Sequence, residues 1–118
     1  ILVVEDNDLN RKLFCDVLRA KGYEVLGCAD GNAVIESARR FRPDLAIMDI
    51  QLPHVSGLDL ISQMKADAQL AGVPVLAVTA YAGKGDEDRI RAAGAEDYLA
   101  KPVSIGPFSA KVIALIGE

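Results

Sequence analysis

Apolar residues fall in two alternating patterns along this chain. Runs without a polar residue, at 1–4, 45–48 and 75–78, suit strands buried on both faces of a sheet. Between them, apolar residues recur at three- and four-residue steps, the period of one helical face. Leu9, Leu13, Phe14, Val17 and Leu18 mark such a face over 8–21, and Gly22 supplies a left-handed stop. Residues 23–29 read as a second strand, closed by the turn pair Asp30-Gly31. Val34, Ile35, Ala38 and Phe41 share one side of a second helix that ends before Pro43. Leu58, Ile61 and Met64, flanked by Leu60, stripe a third. The stretch 86–93 is helical in composition but carries one large apolar residue, Ile90, which predicts thin packing. Residues 98–100 form a short last strand. Phe108, Val112, Leu115 and Ile116 stripe the final helix, with Pro107 in its first turn.

Strand and helix thus alternate five times. The order predicts an α/β fold of the flavodoxin-like (βα)5 kind, a doubly wound sandwich whose parallel sheet runs 2-1-3-4-5. The 118 residues suit one domain spanning 1–118. Their 51% hydrophobic and 25% charged residues can build a packed core without disulfides or a structural metal. Cys15 and Cys28 are expected to be free thiols. A chain that begins at Ile1, inside an apolar run, is expected to be trimmed or cut from something longer.

Charge and composition narrow the partners. A net charge of −4 argues against direct nucleic-acid binding, which needs a Lys/Arg-rich face. Aromatics at 5%, with no Trp, argue against base stacking. No apolar run approaches the ~18 residues that span a bilayer, and no leader pattern precedes the first strand. These features predict a cytoplasmic protein with no membrane association.

Ligands of open parallel sheets bind beyond the carboxyl ends of the strands, at the switch in strand order. Here Glu5 and Asp6 follow strand 1, Asp49 ends strand 3, Thr79 ends strand 4 and Lys101 follows strand 5. Any one of these alone reads as a helix cap or solvated loop residue; all of them at successive strand ends do not. Three carboxylates and one lysine leave a deficit of two positive charges, which a divalent cation would neutralise. A set with no His or Cys suits a hard ion, and Mg²⁺ fits best because it takes few carboxylates and favours phosphate oxygens. His54, the only histidine, lies in the loop after Asp49 in the wrong company for a triad or metal site.

The segments Val3-Val4-Glu5-Asp6-Asn7, Met48-Asp49-Ile50-Gln51-Leu52-Pro53, Ser56-Gly57, Val78-Thr79-Ala80 and Lys101-Pro102 give the whole chain its resemblance to two-component response-regulator receiver domains. In finer detail, Glu5-Asp6-Asn7-Asp8-Leu9-Asn10 and Gly83-Lys84-Gly85-Asp86-Glu87 are similar to single-domain receivers of the DivK type. The resemblance implies that Asp49 accepts a phosphoryl group from a phosphohistidine of a histidine kinase or histidine phosphotransfer protein. It implies a Mg²⁺ site from Glu5, Asp6, Asp49 and the backbone carbonyl of Gln51. Thr79 and Lys101 would contact the phosphoryl group, Thr79 and Tyr98 would form the switch, Gln51 and Tyr81 would modulate water attack, and Lys101-Pro102 would be a cis peptide. Glu5 departs from the Asp common at its position and would reach the metal directly or through water. The implied protein is a phosphoacceptor that dephosphorylates itself, not a turnover enzyme. Its kinase would dock on the first helix and the loop after strand 5, and its output would pass to a downstream protein.

Other readings share parts of this pattern. The chain would also suit a receiver module cut from a hybrid histidine kinase or a multidomain regulator. A phosphatase with an aspartate nucleophile needs a second Asp where Gln51 stands. A flavin binder needs a phosphate loop where this chain has Glu5-Asp6-Asn7-Asp8.

Overall fold

The computed structural model describes residues 1–80 and 83–116. Five strands and five α-helices alternate along them: β1 (Leu2–Val4), α1 (Asp8–Ala20), β2 (Leu26–Cys28), α2 (Val34–Phe41), β3 (Ala46–Asp49), α3 (Gly57–Ala66), β4 (Val75–Thr79), α4 (Lys84–Ala93), β5 (Asp97–Ala100) and α5 (Ile105–Ile116). A 3-10 turn, Gly31–Ala33, leads into α2. All strands are parallel, in the order β2-β1-β3-β4-β5. This is the flavodoxin-like order that the alternation predicts.

Successive side chains of a strand point to opposite faces, and the core divides accordingly. Leu2, Val4, Ala46, Met48, Val75 and Ala77 pack with Val34 and Ala38 of α2, Leu60, Ile61 and Met64 of α3, and Ile90 of α4. The intervening residues Val3, Ile47, Leu76 and Val78 pack with Phe14, Cys15 and Leu18 of α1 and Phe108 and Val112 of α5. The Phe14 and Phe108 rings stack at 4.9 Å, joining α1 to α5. The thin helix α4 is seated by Ile90, which is 2% exposed.

Local chemistry explains where the elements stop. Asn7 caps α1 by accepting the Asn10 N–H at 3.0 Å. At its other end, Gly22 has φ 95° and donates to the Arg19 carbonyl, while the Tyr23 N–H reaches the Leu18 carbonyl. This paired arrangement is the one glycine favours after a helix. It draws Tyr23 into the helix terminus, so β2 is shorter than the expected 23–29 and starts at Leu26. Helix α4 begins at Lys84, two residues earlier than its composition suggests. Cys15 and Cys28 are free and buried.

Gly57 is the first residue of α3 and is buried against the end of β3. Its N–H donates to the Ile50 carbonyl at 3.1 Å, and a Cβ there would lie 2.3 Å from the Asp49 carbonyl oxygen and 2.6 Å from Ile50 Cα. Both obstacles are backbone, so neither can rotate away. Gly57→Ala is therefore expected to lose about 3 kcal/mol of stability. Gly85→Ala, in open space on α4, is expected to gain about 0.5 kcal/mol. Urea unfolding of the two variants checks both signs, and equal stabilities would refute the close-approach argument.

Candidate functional site

The switch in strand order brings the carboxyl ends of β1, β3, β4 and β5 side by side. In β3 and β4, Asp49 stands opposite Val78, and in β4 and β5, Thr79 stands opposite Ala100. Asp49, Thr79 and Lys101 thus gather at one edge of the sheet. The Glu5 N–H bonds the Cys28 carbonyl at 3.0 Å, continuing the sheet one residue past β1 and turning the Glu5 side chain inward. The Lys101 N–H bonds the Thr79 carbonyl at 2.7 Å, which fixes the base of the lysine side chain beside β4.

Glu5 and Asp49 are each 1% exposed, whereas Asp6 is exposed. One carboxylate oxygen from each of the three lies within 4.8 Å of the others. Lys101 Nζ stands 3.2 Å from Asp49 Oδ2 and 3.3 Å from Glu5 Oε1. It hydrogen-bonds Asp49, but Glu5 Oε1 is left buried without a hydrogen bond. The other Glu5 oxygen accepts the Asn7 N–H at 3.3 Å, and Asp49 Oδ1 accepts the Gln51 N–H at 3.0 Å. A buried oxygen that has the Lys101 ion pair but no hydrogen bond, beside two further carboxylates, all hard donors, fits a divalent cation of the Mg²⁺ kind. Exposed Asp6 opens that cluster to solvent.

The electrostatics follow from burial. Desolvation, reinforced by the neighbouring Asp49 carboxyl, pushes the Glu5 pKa above the ordinary glutamate value. Burial acts against the Lys101 charge, yet Asp49 and then Glu5 outweigh it and hold the ammonium above the usual lysine value.

Other residues singled out by the sequence stand around this centre. The Gln51 side chain crosses to β4, where Nε2 donates to Thr79 Oγ1 at 2.9 Å and Oε1 accepts the Ala80 N–H at 2.8 Å. Tyr98 is half-buried on β5, beneath the Arg91 guanidinium at 5.7 Å. The Lys101–Pro102 peptide is cis. Tyr81 lies outside the described residues. His54 is exposed and apart from the acidic cluster; it has φ 68° at the centre of a three-residue turn closed by the Val55 N–H and the Pro53 carbonyl.

Sequence reasoning missed Arg11. Its guanidinium donates to the Glu5 carbonyl at 2.9 Å and to Asp8 at 2.6 Å, tying α1 to the loop after β1. Its position on the polar side of α1 carried no signal of this.

A parallel sheet with three carboxylates and a lysine gathered at its switch point defines a CheY-like receiver fold. Comparison with known proteins agrees: the chain belongs to the response regulator receiver domain family, whose model matches residues 1–113. It is 48% identical over 118 residues to the polar-differentiation response regulator DivK of Brucella anthropi, covering 100% of this chain and 96% of that protein. The DivK of Brucella ovis is 47% identical over the same span. Among solved structures, the receiver domain of a sensor histidine kinase from Pseudomonas aeruginosa superposes with a TM-score of 0.89 at 37% identity, covering 99% of this chain and 96% of that one. That structure has a magnesium ion coordinated in its active-site cleft. The chemotaxis response regulator CheY4 of Vibrio cholerae matches with a TM-score of 0.91 at 25% identity, over 97% of this chain and 95% of that one.

The raised Glu5 pKa has a stability consequence. The folded state holds this proton more tightly than the unfolded chain, so its contribution is complete below the ordinary value of about 4.3 and is lost as pH rises through the folded value. Asp97 acts oppositely. Burial works against its charge, but Lys111 and the Tyr98 N–H hold its pKa below the usual aspartate value, so its contribution is lost only as pH falls below about 4. In chelator, melting temperature is expected to fall as pH rises from about 5, and Glu5→Gln should flatten that slope. Parallel slopes in a calorimetric series would show that Glu5 does not set it.

Proposed function

We propose that the chain is a Mg²⁺-dependent phosphoacceptor of a two-component or phosphorelay system, with Asp49 receiving the phosphoryl group. The observation that carries this reading is Asp49 itself: a carboxylate 1% exposed at the end of β3, hydrogen-bonded to a lysine and set beside two further acids. Glu5, Asp6, Asp49 and the Gln51 carbonyl would hold the ion, which supplies positive charge to the transferring oxygens.

The chain's own residues do the rest. The Gln51 N–H, bonded to Asp49 Oδ1, fixes the plane of the nucleophilic carboxylate. The phosphoryl P–N bond of the donor phosphohistidine breaks as a P–O bond to Asp49 forms, and the imidazole departs with the bonding pair. Lys101 provides a point charge that can follow the incoming oxygens. The acyl phosphate adds about one negative charge to the site, and the Thr79 hydroxyl at the end of β4 is placed to answer it. Thr79 and Tyr98 form the switch in this reading, with Gln51 and Tyr81 modulating the lifetime of the acyl phosphate. The product stays on the protein until water removes it, so the domain, spanning 1–118, is a signalling intermediate and not a turnover enzyme. A cytoplasmic location suits phosphotransfer; among the described residues, no helix is long and apolar enough to cross a membrane.

The donor protein needs a path to Asp49. A groove of about 490 Å³ beside Lys101 is lined by Asn10, Leu13, Phe14, Lys101, Pro102 and Val103. Leu9 and Leu13 of α1 and Ile105 at the start of α5 are 80%, 41% and 50% exposed. We assign this α1 and β5–α5 surface to the kinase or phosphotransfer partner, whose histidine would then approach the acidic cluster. The signal leaves through a downstream protein target, without direct nucleic-acid or membrane contact.

Incubation with Mg²⁺ and acetyl phosphate is expected to add the mass of one phosphoryl group, and Asp49→Asn should abolish it. Modification that survives in Asp49→Asn would overturn the assignment. Leu13→Asp should leave acetyl-phosphate labelling intact while slowing transfer from a cognate histidine donor by about tenfold or more. Equal slowing with both donors would place Leu13 in the chemistry instead of the docking surface.

A further inference from the structure

We propose that the Gln51 carboxamide is a latch: it holds the end of β4 in the resting arrangement and must let go when Asp49 carries a phosphoryl group. The inference rests on the phosphoacceptor reading above. Gln51 is anchored to the reacting group at one end, because its N–H donates to Asp49 Oδ1 at 3.0 Å. Its side chain spans to the neighbouring strand and engages it with both polar atoms, Nε2 to Thr79 Oγ1 at 2.9 Å and Oε1 to the Ala80 N–H at 2.8 Å. The amide orientation is set by chemistry. A backbone N–H can only donate, so the carbonyl oxygen must face Ala80 and the NH₂ must face Thr79.

These two contacts lie where a phosphoryl group would make demands. In the sheet register Asp49 is opposite Val78, so the Thr79 hydroxyl at the end of β4 and the Ala80 N–H just after it are the next polar groups along that strand. The Thr79 carbonyl is already used by the Lys101 N–H. A phosphoryl oxygen on Asp49 is an acceptor seeking donors on its open side. The carboxamide oxygen of Gln51 is its rival for the Ala80 N–H, and the Nε2 bond restrains Thr79 from moving toward Asp49. The clamp also touches the helix beyond: Gln51 and Thr79 share a small cavity with Leu58, Asp86, Arg89 and Ile90. Its volume of about 30 Å³ is that of one water. The released side chain must therefore swing outward, and its release is felt at the first turns of α4.

A latch of this kind stabilises the resting state at the expense of the phosphorylated one. Two hydrogen bonds removed from the resting state alone should shift the balance by roughly fivefold to a hundredfold. Gln51→Met keeps the length and volume but cannot bond either partner. Gln51→Asn keeps the amide but is one methylene short. The probe is beryllofluoride with saturating Mg²⁺, titrated into ¹⁵N-labelled chain while the Ala80 amide is followed by NMR, with its hydrogen exchange measured beforehand.

The latch predicts a protected Ala80 amide in the wild type and faster exchange in both variants. It also predicts a beryllofluoride midpoint roughly fivefold to a hundredfold lower in both. A merely structural role would not tighten binding of the mimic. A midpoint that rises in Gln51→Met would show that the carboxamide supports the bound group, and an unchanged midpoint with unchanged exchange would show that it does neither; each overturns the latch. If the wild type itself fails to respond to beryllofluoride, the phosphoacceptor reading falls first and takes the latch with it.

Discussion

Glu5 and Asp49 place like charges at the ends of neighbouring strands, each almost wholly removed from water. Two unit charges within 4.8 Å repel by at least about 3 kcal/mol at an effective dielectric of about 20, before any cost of desolvation. The rest of the site answers this constraint. Lys101 stands nearly equidistant from both carboxylates, at 3.2 and 3.3 Å, so one ammonium serves two acids. Its backbone is pinned to Thr79, Asp49 is further held by the Gln51 N–H, and Glu5 by the N–H of Asn7, the residue whose side chain caps α1. One oxygen of Glu5 still lacks a hydrogen bond. A site left short of positive charge at rest is one that a cation completes and an added phosphoryl group disturbs.

Much of this was legible in the sequence because it depends on backbone period. Unbroken apolar runs mark strands covered on both faces, and residues such as Val3 and Val4 divide cleanly between the two halves of the core. The polar residue that ends each run then falls at the carboxyl edge without further information. The Gly57 constraint was visible only as a glycine; its cause is a backbone approach between α3 and β3. The Gln51 clamp was not legible at all. It depends on the register of β3 against β4 and on a rotamer, neither of which leaves a period in the chain. The same holds for His54, whose positive φ gives no sign in composition, and for Tyr23, which reads as strand but is taken by the helix terminus.

Helix α4 is the element least committed to the core. Among the described residues Ile90 is its one large buried side chain, Ala93 adds a small apolar contact, and polar ties add to these. Arg91 reaches Glu87, Asp97 and the Glu96 carbonyl while lying over Tyr98. Lys65 of α3 pairs with Glu96, whose second oxygen accepts the Val75 N–H at 2.6 Å. Exposed ion pairs contribute about 0–1 kcal/mol each, whereas a buried aliphatic side chain contributes about 1.5–3 kcal/mol. α4 therefore pivots more readily than it detaches, with Ile90 as the fixed point and the polar ties as the parts that exchange.

Under the proposed function, that balance would give a route from charge to shape. In the proposed reading, added charge at Asp49 would act first on the end of β4, where the Gln51 side chain and Thr79 meet. The same two residues border the cavity against Asp86, Arg89 and Ile90, so a shift of Thr79 is felt at the pivot. At its other end, α4 holds Tyr98 under Arg91, and the ring is half-buried against the α2–α3–α4 half of the core. In the proposed switch, a small rotation of the helix would move the guanidinium off the ring and free the aromatic to repack. In that reading the weak packing of α4 would let a change of about one charge be converted into a different surface, whereas a core-rich helix at this position would absorb the same perturbation without moving.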